Sequence, residues 1–132
     1  MLECIVTPNA PAAVGPYSQA VRVHPWLFCS GQIAIDQTTN DVRLFDGDVA
    51  QQTALALKNL VAVLKAGGAS VTDVVKTTVY LVDMADFAAV NVVYAQVFGP
   101  HRPARACIAA ASLPKGVRVE IDAVAVITGS ES

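Results

Sequence analysis

The chain has 132 residues, enough for one domain with a core of its own. Its net charge is −2, and only 15% of its residues are charged, against roughly 25% in an average soluble domain. That balance excludes a phosphate-backbone binder built on a basic stripe, and so sparse a charged surface predicts that further copies of the chain cover part of it.

The three cysteines, Cys4, Cys29 and Cys107, are odd in number, far apart and without CxxC spacing. They read as reduced thiols in a cytoplasmic protein rather than a disulfide framework. The N-terminal stretch MLECIVTPNAPAAVGPYSQ has neither a basic region nor a long apolar run, so no signal peptide is expected. The uncharged run FAAVNVVYAQVFGP is too short to span a bilayer and ends in Gly-Pro. With no repeat or linker in view, residues 1–132 read as a single soluble domain.

Strand signals come first in the chain, over residues 2–6 (LECIV), 18–23 (SQAVRV) and 27–35 (LFCSGQIAI), with a turn at His24-Pro25. Gly15-Pro16 bends the chain ahead of the second of these and fixes where Tyr17 stands. Ser30-Gly31-Gln32 breaks an apolar strand with a hydroxyl, a bare backbone and an amide. A β-bulge would use that triplet, and so would a pocket wall that a ligand approaches closely.

The clearest helix lies within residues 47–70, with Asp48 as N-cap and Gln51 three residues later as a variant capping box. Val49, Thr53, Ala56, Leu60 and Leu64 recur at helical spacing, and Lys65 with Gly67-Gly68 marks the end. A strand over 74–83 alternates Lys76, Thr78 and Tyr80 against Val75, Thr77, Val79 and Leu81. A second helix is predicted over 85–98, with Asp86 in its first turn, a stripe of Phe87, Val90, Tyr94 and Val97, and a stop at Gly99-Pro100. Residues 104–111 (ARACIAAA) and 117–127 (VRVEIDAVAVI) flank the turn SLPKG and read as an antiparallel hairpin.

This order predicts an α+β fold, a sheet with two helices packed on one face. The other face then has nothing in the chain to cover it unless subunits pack there. In the last strand the odd positions Val117, Val119, Ile121, Ala123 and Ala125 are apolar and suit the helices. The even set, Arg118, Glu120, Asp122, Val124 and Val126, would lie on the bare face.

Arg105 and Cys107 are two apart and share a face of their strand, and the short hairpin would bring Glu120 close to them. An arginine in so apolar a strand is costly to desolvate unless paired. An Arg105–Glu120 ion pair would meet that cost, and an exposed edge would avoid it. An anion site would also meet it, because a guanidinium grips a carboxylate through two parallel hydrogen bonds. Cys107 reads either as a small hydrophobe or as a thiol activated by the Arg105 charge. His24 and His101 are isolated beside prolines, so no metal site is expected, and no Gly-rich nucleotide loop is present.

Taken together, NAPAAVGPYSQAV, SGQIAID, QTALALKNLVAVLKAGGAS, VVKTTVYLVDMADFAAVN and RPARACIAAASLPKGVRVEIDAVA resemble the reactive intermediate deaminase family, RidA or YjgF-like. The resemblance runs over nearly the whole chain. It implies a chorismate-mutase-like protomer, a homotrimer with clefts between subunits, and the bare sheet face as the inner wall of that trimer. It implies hydrolysis of 2-imino acids, or their enamine tautomers such as 2-aminoacrylate, to 2-oxo acids and ammonia, without a cofactor.

Residue by residue, the family's carboxylate-binding arginine falls on Arg105 and its water-activating acid on Glu120. Cys107 matches a position whose backbone lines the site. Tyr17 and Ser30 match pocket-shaping residues, Tyr17 reaching in from a neighbouring subunit, while Gly31 and Asn91 match supporting positions. The chain departs from the pattern at the short FGPHRPARA segment, at the HPW turn and at Ala106, where serine is frequent; these touch the cleft rim and hence side-chain preference. Relatives have also been described as ribonucleases or translation inhibitors, a reading the net charge of −2 opposes. A trimer that binds small oxo acids without catalysis is the other alternative.

Overall fold

A computed structural model describes residues 1–128; of the C-terminal TGSES stretch, residues 129–132 lie outside the described residues. Eight strands run in chain order: β1 Leu2–Ile5, β2 Ala20–Val23, β3 Trp26–Gln32, β4 Ile35–Asp36, β5 Asp41–Val42, β6 Val74–Leu81, β7 Ala104–Ala109 and β8 Val119–Val126. The helices are α1, Val49–Ala66, and α2, Phe87–Phe98. Six strands form one sheet in the order β1-β2-β3-β8-β6-β7, and β4 with β5 makes a small separate ribbon. The expected α+β architecture is what forms, with both helices on one face.

The α1 start follows its capping residues. Asp48 Oδ1 accepts from the Ala50 and Gln51 amides at 2.9 and 3.2 Å, and the Gln51 side chain donates back to Asp48 Oδ2 at 3.0 Å. All five residues of the predicted α1 stripe are buried, and Leu57 and Val63 join them. Two polar residues lie among them. Asn59 donates to the Ile33 and Ile35 carbonyls at 3.1 and 2.9 Å, and Gln52 accepts from the Arg118 amide at 2.8 Å. Each bonds to backbone outside the six-stranded sheet, which removes the penalty of burying an amide.

The hairpin expectation is overturned. β7 pairs parallel with β6, and β8 pairs antiparallel with both β6 and β3, so β6 separates the two supposed hairpin strands. The helix between β6 and β7 explains this, since a parallel pair needs a crossover connection and α2 is one. From β7 the chain passes through a turn at Pro114–Gly116, with Lys115 and Gly116 at positive φ, and enters the sheet beyond β6. In that central slot β8 has neighbours on both sides for its backbone.

The burial of β8 alternates strictly, its odd positions buried and its even positions half-buried, as its pattern predicts. The face away from the helices carries Val21, Val23, Trp26, Phe28, Val124 and Val126 in register across β2, β3 and β8. Trp26 and Phe28 stack at 6.2 Å between ring centroids while 46% and 49% exposed. Two large rings left half in water form an apolar patch that a lone soluble chain rarely keeps. In α2 the predicted stripe is buried at Val90 and Tyr94, with Val97 half-buried on the core; Phe98 joins them, and Phe87 stays exposed. Among the described residues, no helix is long and apolar enough to cross a membrane.

Candidate active site

Ser30-Gly31-Gln32 forms a bulge and lines a cavity. The β3–β8 register shifts between Cys29 and Gln32, which is a bulge. The Ser30 hydroxyl donates to the Ser18 carbonyl at 2.6 Å, and the Ser30 amide donates to Gln19 at 3.0 Å. This fastens the bulge to the segment that follows Tyr17. The bulge also walls a cavity of ≈390 Å³, lined by Tyr17, Ser30, Gly31, Gln32 and Glu120 on one side. Pro11, Ile33 and Ile35 add apolar wall to it, and Lys115 brings a positive charge to its lining.

Glu120 fills the space that a side chain at position 31 would need. A Cβ on Gly31 would stand 2.0 Å from Glu120 Oε2. Burial, reinforced by the Asp122 charge, pushes the Glu120 carboxyl above its ordinary range. Asp122 is fixed two residues on, accepting from the Thr78 amide and the Tyr80 hydroxyl, each at 3.1 Å. The even-position pattern of the last strand already placed the two carboxylates on one face; their electrostatic consequence was the unread part.

Gln19 is the residue that sequence reasoning missed. It is buried, and its amide holds the segment ahead of Tyr17 through the Pro11 carbonyl at 2.8 Å and the Thr7 amide at 2.7 Å. A lone glutamine beside a strand gave no signal of this role.

Arg105 does not meet Glu120 within the chain, which corrects the expectation of an ion pair across a hairpin. Arg105 registers with Thr77 and Glu120 with Tyr80, three positions further along β6. Thr77 is buried against α2, bonded to the Tyr94 hydroxyl at 2.8 Å, whereas Tyr80 faces the bare side with Asp122. Registered neighbours share a face, so Arg105 lies on the helix side and Glu120 on the other. There Arg105 Nη1 donates to Asn91 Oδ1 at 2.7 Å, beside a second cavity lined by Asn91, Tyr94, Arg102 and Arg105.

Cys107 is half-buried on the Arg105 side. Burial raises its thiol above the ordinary value, and the Arg105 charge only partly opposes this. It is therefore a thiol at neutral pH, which argues against activation as a nucleophile. Cys29 is deeper, its thiol pushed up to about 12 by burial and then by Asp122. The structure thus separates two clusters, Tyr17–Ser30–Gly31–Glu120 around one cavity and Arg105–Cys107–Asn91 at the β7 edge.

Comparison with known proteins shows the family. The model of the endoribonuclease L-PSP family, the RidA/YjgF proteins, matches residues 7–127. The chain belongs to that family. Among RidA/YjgF relatives, the human 2-iminobutanoate/2-iminopropanoate deaminase is 50% identical over 122 residues, covering 92% of this chain and 88% of that protein. A RutC family protein of Pyrococcus horikoshii is 49% identical over 125 residues, covering 95% and 98%. Of solved structures, E. coli TdcF with bound serine superposes with a TM-score of 0.88 at 42% identity, over 94% of this chain and 98% of that one.

Proposed function

We propose that this RidA-family chain is an imine deaminase that hydrolyses small 2-imino acids, 2-aminoacrylate among them in its imine form, to 2-oxo acids and ammonia. The observation that carries the reading is a half-buried carboxylate with a raised pKa, set against bare backbone in a cavity that contains no arginine of its own chain. A homotrimer supplies the guanidinium: its subunits meet through the bare apolar face, and a neighbour's β7 edge brings Arg105 to the Glu120 cavity. In this assembly Tyr17 and Arg105 come from different subunits, as the resemblance implies, and Glu120 comes with Tyr17. The names of the mammalian relatives support the reaction class.

The chemistry follows from these roles. Arg105 holds the substrate carboxylate and so places C2 of the imine over the cavity wall. Glu120 as carboxylate takes a proton from water while the water oxygen bonds to C2 of the protonated imine. Returning that proton to nitrogen lets the C–N bond break; Glu120, a carboxylate again, takes the hydroxyl proton and passes it to the departing ammonia, which leaves a 2-oxo acid and an ammonium ion. Tyr17 and Ser30 shape the wall, and the Cys107 backbone flanks the carboxylate. The cycle draws on no metal or cofactor.

The test is ammonia and 2-oxo acid release from freshly generated 2-aminoacrylate. Arg105→Ala is expected to abolish turnover, Glu120→Ala nearly so, and Cys107→Ala only to weaken it. Mixing the two inactive chains sharpens the test. In a random equal mixture, about a quarter of the inter-subunit sites pair an intact arginine with an intact glutamate, so activity returns to about that fraction. Full activity in Arg105→Ala ends the proposal, and no recovery in the mixture ends the shared site. RNA cleavage that survives repeated purification and vanishes in Arg105→Ala would favour the endoribonuclease reading instead.

A further inference from the structure

We infer that α2 is a preorganising clamp for the Arg105 guanidinium, with Phe87, Asn91 and Tyr94 as its positioning residues. The inference rests on the anion-binding role proposed for Arg105 and goes beyond it, because it says which groups make that arginine competent. The three residues stand at i, i+4 and i+7 on α2 and therefore share one stripe of the helix. All three converge on the same side chain. The guanidinium carbon lies 5.4 Å from the Phe87 ring centroid and 4.9 Å from that of Tyr94, and Nη1 donates to Asn91 Oδ1 at 2.7 Å.

Each contact does something different. The rings attract the cation and restrict the attitude of its plane. The Asn91 carbonyl oxygen occupies one corner of the fork while remaining neutral, so it fixes the arginine without cancelling its charge. Among the described residues this is the single hydrogen bond found for the guanidinium, which leaves the Nε and Nη2 edge open to a carboxylate. Tyr94 is itself anchored, buried with its hydroxyl on Thr77 Oγ1 at 2.8 Å, and Thr77 is the β6 residue in register with Arg105. Sheet and helix thus set the ring, and the ring sets the arginine.

The clamp also accounts for the lack of charge along α2. An aspartate at position 91 would pair with Arg105 and compete with an incoming acid, whereas an asparagine holds the same nitrogen and leaves the attraction for the ligand. A long arginine that must otherwise lose its rotamer freedom on binding enters already ordered.

The test uses the whole chain in its native assembly, with steady-state kinetics on 2-aminoacrylate and calorimetric binding of pyruvate as paired readouts. Phe87→Leu and Asn91→Ala are expected to raise KM and the pyruvate Kd about tenfold each, with kcat held within about twofold. Phe87→Tyr restores both constants because it restores the ring. Asn91→Asp raises KM more than Asn91→Ala does, because it adds a competing carboxylate. A merely structural role would lower Tm and leave KM and Kd where they were, and that result overturns the clamp. So does failure of Phe87→Tyr to rescue. Arg105→Ala, run alongside, separates the two ideas: wild-type KM and Kd in that variant remove the anion site itself. Loss there, with unchanged constants in Phe87→Leu and Asn91→Ala, removes only the clamp.

Discussion

The two faces of the sheet are built from the same strands, yet they behave as different materials. On the helix side Leu27, Val79, Leu81, Val119 and Ile121 are almost wholly buried under α1 and α2. On the other side Trp26 and Phe28 stack in the open, and Glu120 and Asp122 share a half-buried strand with Val124 and Val126. The proposed machinery is divided between these faces, Arg105 on the covered side at the β7 edge and Glu120 on the bare one. A chain can therefore complete its own fold without completing its own site. Folding free energy comes from the covered face, while the proposed assembly uses the bare one and the proposed chemistry draws on both.

That division can be broken most forcefully by substituting one residue on each face. Leu60 is fully buried, so Leu60→Ala is expected to cost about 2–5 kcal/mol in urea unfolding. Phe28→Glu places a charge on the bare face and is expected to change mass rather than fold. Sedimentation should report monomer, circular dichroism should keep its strand-and-helix signal, and deaminase activity should be lost with the assembly. If Phe28→Glu stays assembled and active, the bare face is not the surface on which copies meet.

The covered face was the legible one. The α1 stripe, its Asp48 cap and the strict alternation of β8 were written in periodicity, because each depends on residues close together in sequence. The order of strands was not. Residues 104–111 and 117–127 are separated by a short turn segment, and short separation favours a hairpin. Only the crossover through α2 makes β6 and β7 parallel neighbours and sends β8 to the far side of β6. Because the hairpin was misread, so was the geometry: Arg105 and Glu120 were placed beside each other, whereas they lie on opposite faces of the sheet. Phe87 and Tyr94 show the same limit from the other direction. Their spacing identified a helix face, and periodicity alone cannot distinguish a face that packs in the core from one that grips an arginine.

Two glycines sharpen the contrast at smaller cost. A Cβ at Gly67 would lie 2.6 Å from both methyl carbons of Leu27, which is fully buried and has nowhere to go. Gly67→Ala is thus an overpacking change, expected to cost about 1–3 kcal/mol with the kinetic constants of the remaining folded protein unchanged. A Cβ at Gly31 meets the far end of the Glu120 side chain, which can swing aside. Gly31→Ala should therefore leave the unfolding midpoint nearly where it was, while displacing the carboxylate and lowering kcat/KM about a hundredfold. Equal stability losses in the two variants, or an active Gly31→Ala, would mean that the Glu120 cavity is packing and not a site.

The smallest effect concerns the proton on Glu120. Burial and then Asp122 raise this carboxyl above its ordinary range, so between its unfolded and folded values the native state binds more protons than the unfolded chain. Stability must then fall as pH rises through that window, the opposite sign to a salt-bridged carboxylate. Glu120→Gln has nothing to ionise at this position and lacks the slope. Urea unfolding at fixed protein concentration should show the variant gaining on the wild type across the window and keeping the gain at neutral pH. Activity moves the other way, since the carboxylate that destabilises the fold is the form that accepts the proton from water. A wild type and a Glu120→Gln variant whose stabilities run parallel with pH would show that the carboxylate carries no such strain, and that nothing in the fold has tuned it for proton transfer.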